Sequence, residues 1–251
     1  DALVAAAFVS YIGAFASEMR KKLWSEIWIP DVISRGIPST EGMDPLNLLS
    51  DSGNDAKMQS EGLPADRVSL ENGAIITSAA RWPLIIDPQL QGIKWLRRRA
   101  ELNEENQGYI VITLTMSDWP KRIENAISQG QCCILENLGE DLDATLDPVL
   151  ARAVYKKGRN FFLKLGGEEV EYDPKFQLYM LTKLSNPHYK PEVAAQCTLV
   201  NFIATEKGLE DQLLAKVVGV EKPELEAEMS ALQDKFNEYK ITLLELEDQL
   251  L

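Results

Sequence analysis

The chain has 251 residues, 45% of them hydrophobic, which is enough to fill one large core or two small ones and excludes a disordered chain. A formal charge of −13 disfavours attraction to phosphate backbones or anionic lipid, so neither nucleic acid nor a membrane is expected as a partner. Three cysteines, Cys132, Cys133 and Cys197, form no disulfide framework and read as small core residues of a reducing, cytoplasmic compartment.

The opening run from Ala2 to Ser17 is apolar and uncharged. It is shorter than the roughly 20 residues of a membrane-spanning helix and has no basic segment before it, so neither a span nor a signal peptide is expected. Val4, Phe8, Tyr11, Phe15, Met19, Leu23 and Ile27 recur at helical spacing and predict one helix with one buried face. A start inside a helix, with Asp1 in place of Met, suggests a piece of a longer chain. Pro30, Gly36, Pro38, Gly42 and Pro45 then punctuate a connector, and Ser50 to Asp55 reads as an exposed polar loop. Ser69 is a candidate N-cap for a short helix.

From residue 82 apolar runs alternate with amphipathic segments. Strands are expected at Trp82–Asp87, Tyr109–Thr115, Gln131–Asn137, Phe176–Thr182 and Thr198–Ala204, with helices near 91–102, 118–129, 145–157 and 206–217. Strands apolar throughout and alternating with helices predict a parallel sheet covered on both faces. Gly166-Gly167, between Phe161–Leu165 and Glu169–Tyr172, signals an antiparallel hairpin inserted into that rhythm.

In the tail, Leu225, Met229, Leu232, Phe236, Tyr239, Leu243, Leu246 and Leu250 alternate spacings of four and three, the seam of a coiled coil. Pro223 suits the start of that helix. The pattern is still running at Leu251, so a partner strand is expected beyond it or on another chain; a helix packing only within this chain is the other reading.

In parallel sheets ligands collect at the carboxyl ends of strands, which makes the turn after Trp82–Asp87 the place for a phosphate loop. Such a loop, G-x-x-x-x-G-K-[ST], needs glycines for backbone wrapping, a Lys for charge and a hydroxyl for Mg²⁺. The window here runs Asp87-Pro88-Gln89-Leu90-Gln91-Gly92-Ile93-Lys94. Only Gly92 is in register. Asp87 opposes phosphate by charge, Ile93 stands in place of the Lys, and Lys94 stands in place of the hydroxyl, offering its charge from a shifted position. The acidic strand-end motif expected on a later strand ends Glu136-Asn137, and an amide has no pKa useful to a general base. No catalytic, cofactor-binding or metal-ligating residue is therefore assigned.

Other conspicuous residues have simple readings. His188, the sole histidine, lies in a loop between Pro187 and Tyr189. Cys132 and Cys133 point to opposite faces of one strand and cannot share a metal. Arg97-Arg98-Arg99 reads as a solvated helix face, and Trp82 and Trp95 as wedges in the core.

Several long strings carry a resemblance: Glu61-Gly62-Leu63-Pro64-Ala65-Asp66-Arg67, Arg81-Trp82-Pro83-Leu84-Ile85-Ile86-Asp87-Pro88-Gln89, and Gly208-Leu209-Glu210-Asp211-Gln212-Leu213-Leu214. They resemble the fifth AAA+ module of a dynein heavy chain. Leu90-Gln91-Gly92-Ile93-Lys94-Trp95 and Asn186-Pro187-His188-Tyr189-Lys190-Pro191-Glu192 resemble the axonemal outer-arm type, beta class, of cilia and flagella. The resemblance implies an AAA+ P-loop-type parallel sheet sandwiched by helices, with N-terminal helices and a connector over residues 1–60 and the large α/β subdomain over 61–220. Residues 221–251 would begin the coiled-coil buttress, or strut, that leans on the microtubule-binding stalk. It further implies a module without cofactor that relays the motion of ATP- and Mg²⁺-using neighbours. Its partners would be those neighbouring modules, the stalk, the microtubule indirectly, and intermediate and light chains through the parent protein. The family's sensor position falls near Asn186, after a lengthening at Lys183-Leu184-Ser185. Two other readings remain open: a nucleotide-binding ATPase module with a variant phosphate loop, and a scaffold subunit that assembles through Leu225–Leu250.

Overall fold

The computed structural model describes residues 1–102, 108–203 and 206–250. Its N-terminal region departs from the single helix that the spacing predicts. Helix α1 (Ala2–Tyr11) gives way to a 3₁₀ turn at Ile12–Ala14, then α2 (Ser17–Lys21), a π-helical stretch at Lys22–Trp28, and α3 (Ile29–Ser34). Val4 and Phe8 are buried as expected, but Tyr11, Phe15, Met19 and Ile27 are exposed.

The physical cause of the break lies far away in sequence. A Cβ at Gly13 would lie 2.5 Å from the Leu199 carbonyl oxygen, so the turn presses its backbone directly on the sheet. Arg20, only 1% exposed, satisfies carbonyls that the broken helix leaves free: Nε donates to the Phe15 oxygen (2.8 Å) and Nη2 to the Gly13 oxygen (3.0 Å). Its guanidinium also meets Glu71 (3.2 Å) and the Asn72 Oδ1 (2.7 Å), so this buried charge is paired and bonded throughout.

Helix α4 (Pro45–Leu49) precedes α5 (Ser52–Ser60), which occupies the segment expected to be a polar loop. The Ser, Asp and Asn residues there are capping residues: the Asp51 carboxylate accepts from the Asn54 amide at 2.7 Å, and α5 buries Gly53, Ala56 and Met58. Helix α6 (Arg67–Ser78) is capped by Asp66, which accepts from both the amide and the hydroxyl of Ser69. Ser69 is thus the capped residue, not the cap.

The remaining elements follow as β1 (Trp82–Ile86), α7 (Gln91–Leu102), β2 (Tyr109–Thr113), α8 (Trp119–Ser128), β3 (Cys132–Glu136), α9 (Asp147–Leu150), β4 (Tyr155–Lys157), β5 (Asn160–Leu165), β6 (Glu168–Tyr172), β7 (Gln177–Thr182), α10 (Pro191–Gln196) and β8 (Cys197–Asn201). Two helices close the chain, α11 (Glu206–Glu221) and α12 (Pro223–Leu250), divided where Pro223 was expected to divide them. The five expected strands pair in parallel in the order β2-β3-β7-β1-β8, each ending within a few residues of its expected bounds. Ala204, the expected end of the last strand, lies outside the described residues.

Alternation along each strand feeds two separate cores. Leu84, Ile112, Cys133, Leu135, Leu178 and Met180 face α8, α9 and the insert. Ile85, Cys132, Ile134, Leu181 and Val200 face α1, α6 and α7, together with Phe8, Ile12, Ile75, Ile93 and Trp95. Cys132 and Cys133 do point to opposite faces, and burial pushes the thiol of Cys132 up to about 12. The fold is α/β: a parallel sheet between helical layers, with an antiparallel insert and a long C-terminal helix.

The insert is larger than a hairpin. The helix expected over 145–157 is confined to a 3₁₀ turn at Ala144–Leu146 and to α9. Arg152, at a left-handed φ of 49°, stops it, and Tyr155–Lys157 instead pair with β5 in a three-stranded sheet, β4-β5-β6. Gly166 and Gly167, at φ of 56° and 96°, make the tight turn between β5 and β6 that their pairing predicts.

Candidate functional site

The carboxyl ends of β1, β3 and β7 open on one cavity of about 240 Å³. It brings together Asp87, Ile93, Lys94, Glu136 and Asn137, the residues that the sequence placed at a degenerate nucleotide site, and adds Leu90, Arg97, Leu181, Thr182 and Lys183. The strand order puts β1 between β7 and β8, while the chain leaves β1 for β2 at the far edge. This is the crevice that such a reversal creates.

Asp87 governs the local geometry. It follows β1, is 1% exposed, and its amide donates to the Thr182 oxygen of β7 at 2.9 Å. One carboxylate oxygen accepts from the Gln91 amide (2.9 Å) and the other from the Ile93 amide (3.0 Å). The positive end of α7 therefore meets a carboxylate from its own chain. Burial pushes the Asp87 carboxyl above its ordinary pKa, while the amides of Ile93, Gln91, Gly92 and Leu90 hold it down. Between Asp87 and α7 the turn carries Leu90 at a left-handed φ of 61°, a strained conformation for a branched side chain.

Gly92 sits in the first turn of α7, where a Cβ would lie 3.2 Å from the Phe202 ring and 3.4 Å from the Asp87 carboxylate. Close packing is thus sufficient reason for a glycine there. Ile93 is buried in the core with Phe8 and Val200, so the position of the expected Lys has become part of the hydrophobic layer. Lys94 is exposed at the cavity mouth, and neither it nor Lys183 pairs with another described residue.

At the end of β3, Glu136 is tied to Arg97 by an ion pair across the cavity. Asn137 follows at a left-handed φ of 56°, exposed, as the turn residue that lets Leu138 donate to the Leu181 oxygen at 3.0 Å. An amide suits that backbone conformation but takes no proton. Asn186, the sensor position implied by resemblance, is exposed in the loop after β7 and does not line the cavity.

The neighbouring charges and aromatics have structural partners. Arg99 pairs with Glu61 at 3.0 Å and stacks over Trp95, whose indole also donates to Glu61 (2.9 Å). Trp82 donates to the Val149 oxygen at 2.7 Å and lies under Arg152, whose guanidinium carbon is 3.6 Å from the ring centroid. Arg98 is exposed, and His188 is an exposed loop residue whose amide donates to Glu140. Sequence reasoning missed Arg97 and Lys183 as cavity residues. Lys183 was legible in principle, as the cation directly after the strand beside β1.

The second candidate surface is α12. Among the described residues of its seam, Leu225, Met229, Leu232, Phe236, Tyr239, Leu243 and Leu246 are 52–70% exposed. The side chain of Leu250 lies outside the described residues. The helix packs on α5 and α11 and buries Asn237, so the seam stays open to solvent. No described helix is long and apolar enough to cross a membrane.

Residues 56–251 match the family described as ATP-binding dynein motor region. Over its whole length the chain is 53% identical to the dynein beta chain of the flagellar outer arm from Chlamydomonas reinhardtii and 49% identical to dynein axonemal heavy chain 17 from Mus musculus. It is 46% identical to the flagellar outer-arm alpha chain of that alga. The chain spans only 5–6% of the length of these relatives. Their flagellar and axonemal names agree with the axonemal, cytoskeletal location expected above. With the parallel sheet and its helical layers, these matches make the chain a member of the ATP-binding dynein motor region family, an AAA+ module of an axonemal-type heavy chain.

Proposed function

We propose that this chain is the fifth AAA+ module of a dynein motor ring, continued at α12 into the first strand of the buttress, and that it relays motion without hydrolysing ATP. The observation that carries this reading is the Asp87 carboxylate on the amides of Gln91 and Ile93. ATP, named in the family description, does not fit the residues present. The α7 terminus already holds an anion, the cavity of about 240 Å³ is smaller than the roughly 300–1,000 Å³ of common ligand sites, and Asn137 replaces a base. Hydrolysis, with ATP and Mg²⁺, belongs in this reading to neighbouring modules of the parent chain.

The relay follows from stiffness. The α/β body turns as a unit when its neighbours close on ATP, and the open seam of α12 passes that rotation to the stalk coiled coil. Microtubule contact is then indirect, which suits a body of charge −13, and intermediate and light chains join through the parent protein. The other reading, a variant nucleotide site, draws on Lys94 and Lys183 at the cavity mouth, which pair with no described residue. Equilibrium titration of the chain with a fluorescent Mg-ATP analogue, beside an active module, separates the two. No saturation at millimolar nucleotide is expected; saturation at micromolar nucleotide would replace the relay by a nucleotide-responsive module.

A further inference from the structure

A helix N-terminus of twelve residues presents free amides and a positive dipole end, the arrangement that binds phosphoryl groups in many α/β proteins. Here those amides are not free. Both oxygens of Asp87 are used, one by Gln91 and one by Ile93, at ordinary hydrogen-bond distances. The carboxylate is itself buried, and it belongs to the residue that directly follows β1. Directly in front of it lies a cavity whose mouth carries two cations, Lys94 and Lys183, that no described side chain neutralises. Arg97, the third cation, is occupied by Glu136. An anion site has thus kept its amides and part of its cationic rim, while its occupant is covalent.

We propose that Asp87 is a built-in occupant of this anion site, and that removing its charge opens the cavity to small polyanions of the pyrophosphate class. The inference rests on the non-catalytic reading above and goes further, because a merely degenerate loop would gain nothing when Asp87 is removed. Since the carboxylate is part of the chain, it cannot be diluted away, and the junction of β1 with α7 keeps its loaded geometry at any nucleotide concentration. The turn reaches that geometry by holding Leu90 in the left-handed region, where its amide donates to the Asp87 carbonyl at 3.3 Å. A cavity of about 240 Å³ suits two phosphoryl groups better than a whole nucleotide.

The test is calorimetric titration of the intact chain with inorganic pyrophosphate, together with thermal melts, for the unsubstituted chain, Asp87→Ala and Asp87→Ser. The unsubstituted chain is expected to give no saturable binding. Asp87→Ala is expected to melt lower by about 2–8 °C, as loss of a helix-terminal carboxylate in a chain of this size predicts. Pyrophosphate should restore part of that loss in a concentration-dependent way. Adding Lys94→Ala to Asp87→Ala should weaken pyrophosphate binding by about tenfold. If Asp87→Ala does not fold, Asp87→Ser, whose shorter side chain can cap one amide and leaves the rest of the cradle empty, carries the titration. Variants that ignore pyrophosphate, or an unsubstituted chain that binds it equally well, would overturn the proposal. Mg-ATP binding by the unsubstituted chain would instead overturn the non-catalytic reading, so the two failures are separately visible.

Discussion

The α/β body and the C-terminal helix solve the problem of burial in opposite ways. In the body the apolar side chains of the five parallel strands are divided between two cores, and its buried charges, Arg20, Glu61, Glu71 and Asp87, all have partners. Along α12 the described apolar side chains of the seam form a regular stripe that faces water, while a polar residue, Asn237, is buried. The body's pattern is satisfied within the chain, and the stripe's is not. In the reading proposed above, one holds a shape and the other meets a partner.

Four substitutions test that contrast. Arg20→Ala would leave the Glu71 carboxylate and the carbonyls of Gly13 and Phe15 short of a buried partner, with only Arg67 still on Glu71. A loss of about 3–5 kcal/mol in urea unfolding is expected; a loss below that of a surface substitution would mean that the network does not hold the broken helix to the sheet. Gly13→Ala drives a Cβ against the Leu199 carbonyl, and about 1–3 kcal/mol should be lost, with Ala14→Gly as the control that adds no atom there. Asp66→Ala removes the cap of α6 and should cost about 1 kcal/mol, readable as a lower urea midpoint at unchanged slope. Leu232→Asp, on the open stripe, should shift stability by no more than about 0.5 kcal/mol. A large destabilisation there would show that the stripe is covered within this chain, and the contrast between body and arm would fail.

Much of the fold was legible because parallel strands covered on both faces must be apolar at every position. Residues 109–112, 132–135 and 178–181, within β2, β3 and β7, are apolar throughout, and a parallel sheet between helical layers buries such runs. The address of the site was legible for a related reason, since the turn between a buried strand and a helix leads to the carboxyl edge of the sheet. The role of Asp87 was only half legible. Its charge argued against phosphate, but whether that charge pointed to solvent or onto the α7 amides depended on the turn through Leu90, a conformation that a leucine does not advertise.

The misread segments share another cause. Tyr155–Lys157 became a strand because β5 lay beside it, and Ser52–Ser60 became a helix with α12 packed against it. Local propensities amount to a few tenths of a kcal/mol per residue in either direction, and one good tertiary surface outweighs them.

By itself the sequence determined the layered α/β class, the absence of a phosphate-loop lysine and of an acidic base beside Glu136, and the seam from Leu225 to Leu250, because each follows from residue type and period alone. Only the tertiary structure decided where the N-terminal helix breaks, that the insert has three strands, and that Asp87 closes the α7 terminus. The break depends on contacts between residues distant in the chain, Gly13 with Leu199 and Arg20 with Glu71, which leave no period in the sequence, while the third strand and the Asp87 closure depend on nearer contacts, Tyr155 with Phe162 and Asp87 with Ile93, that exist only once the turn between them has taken its shape.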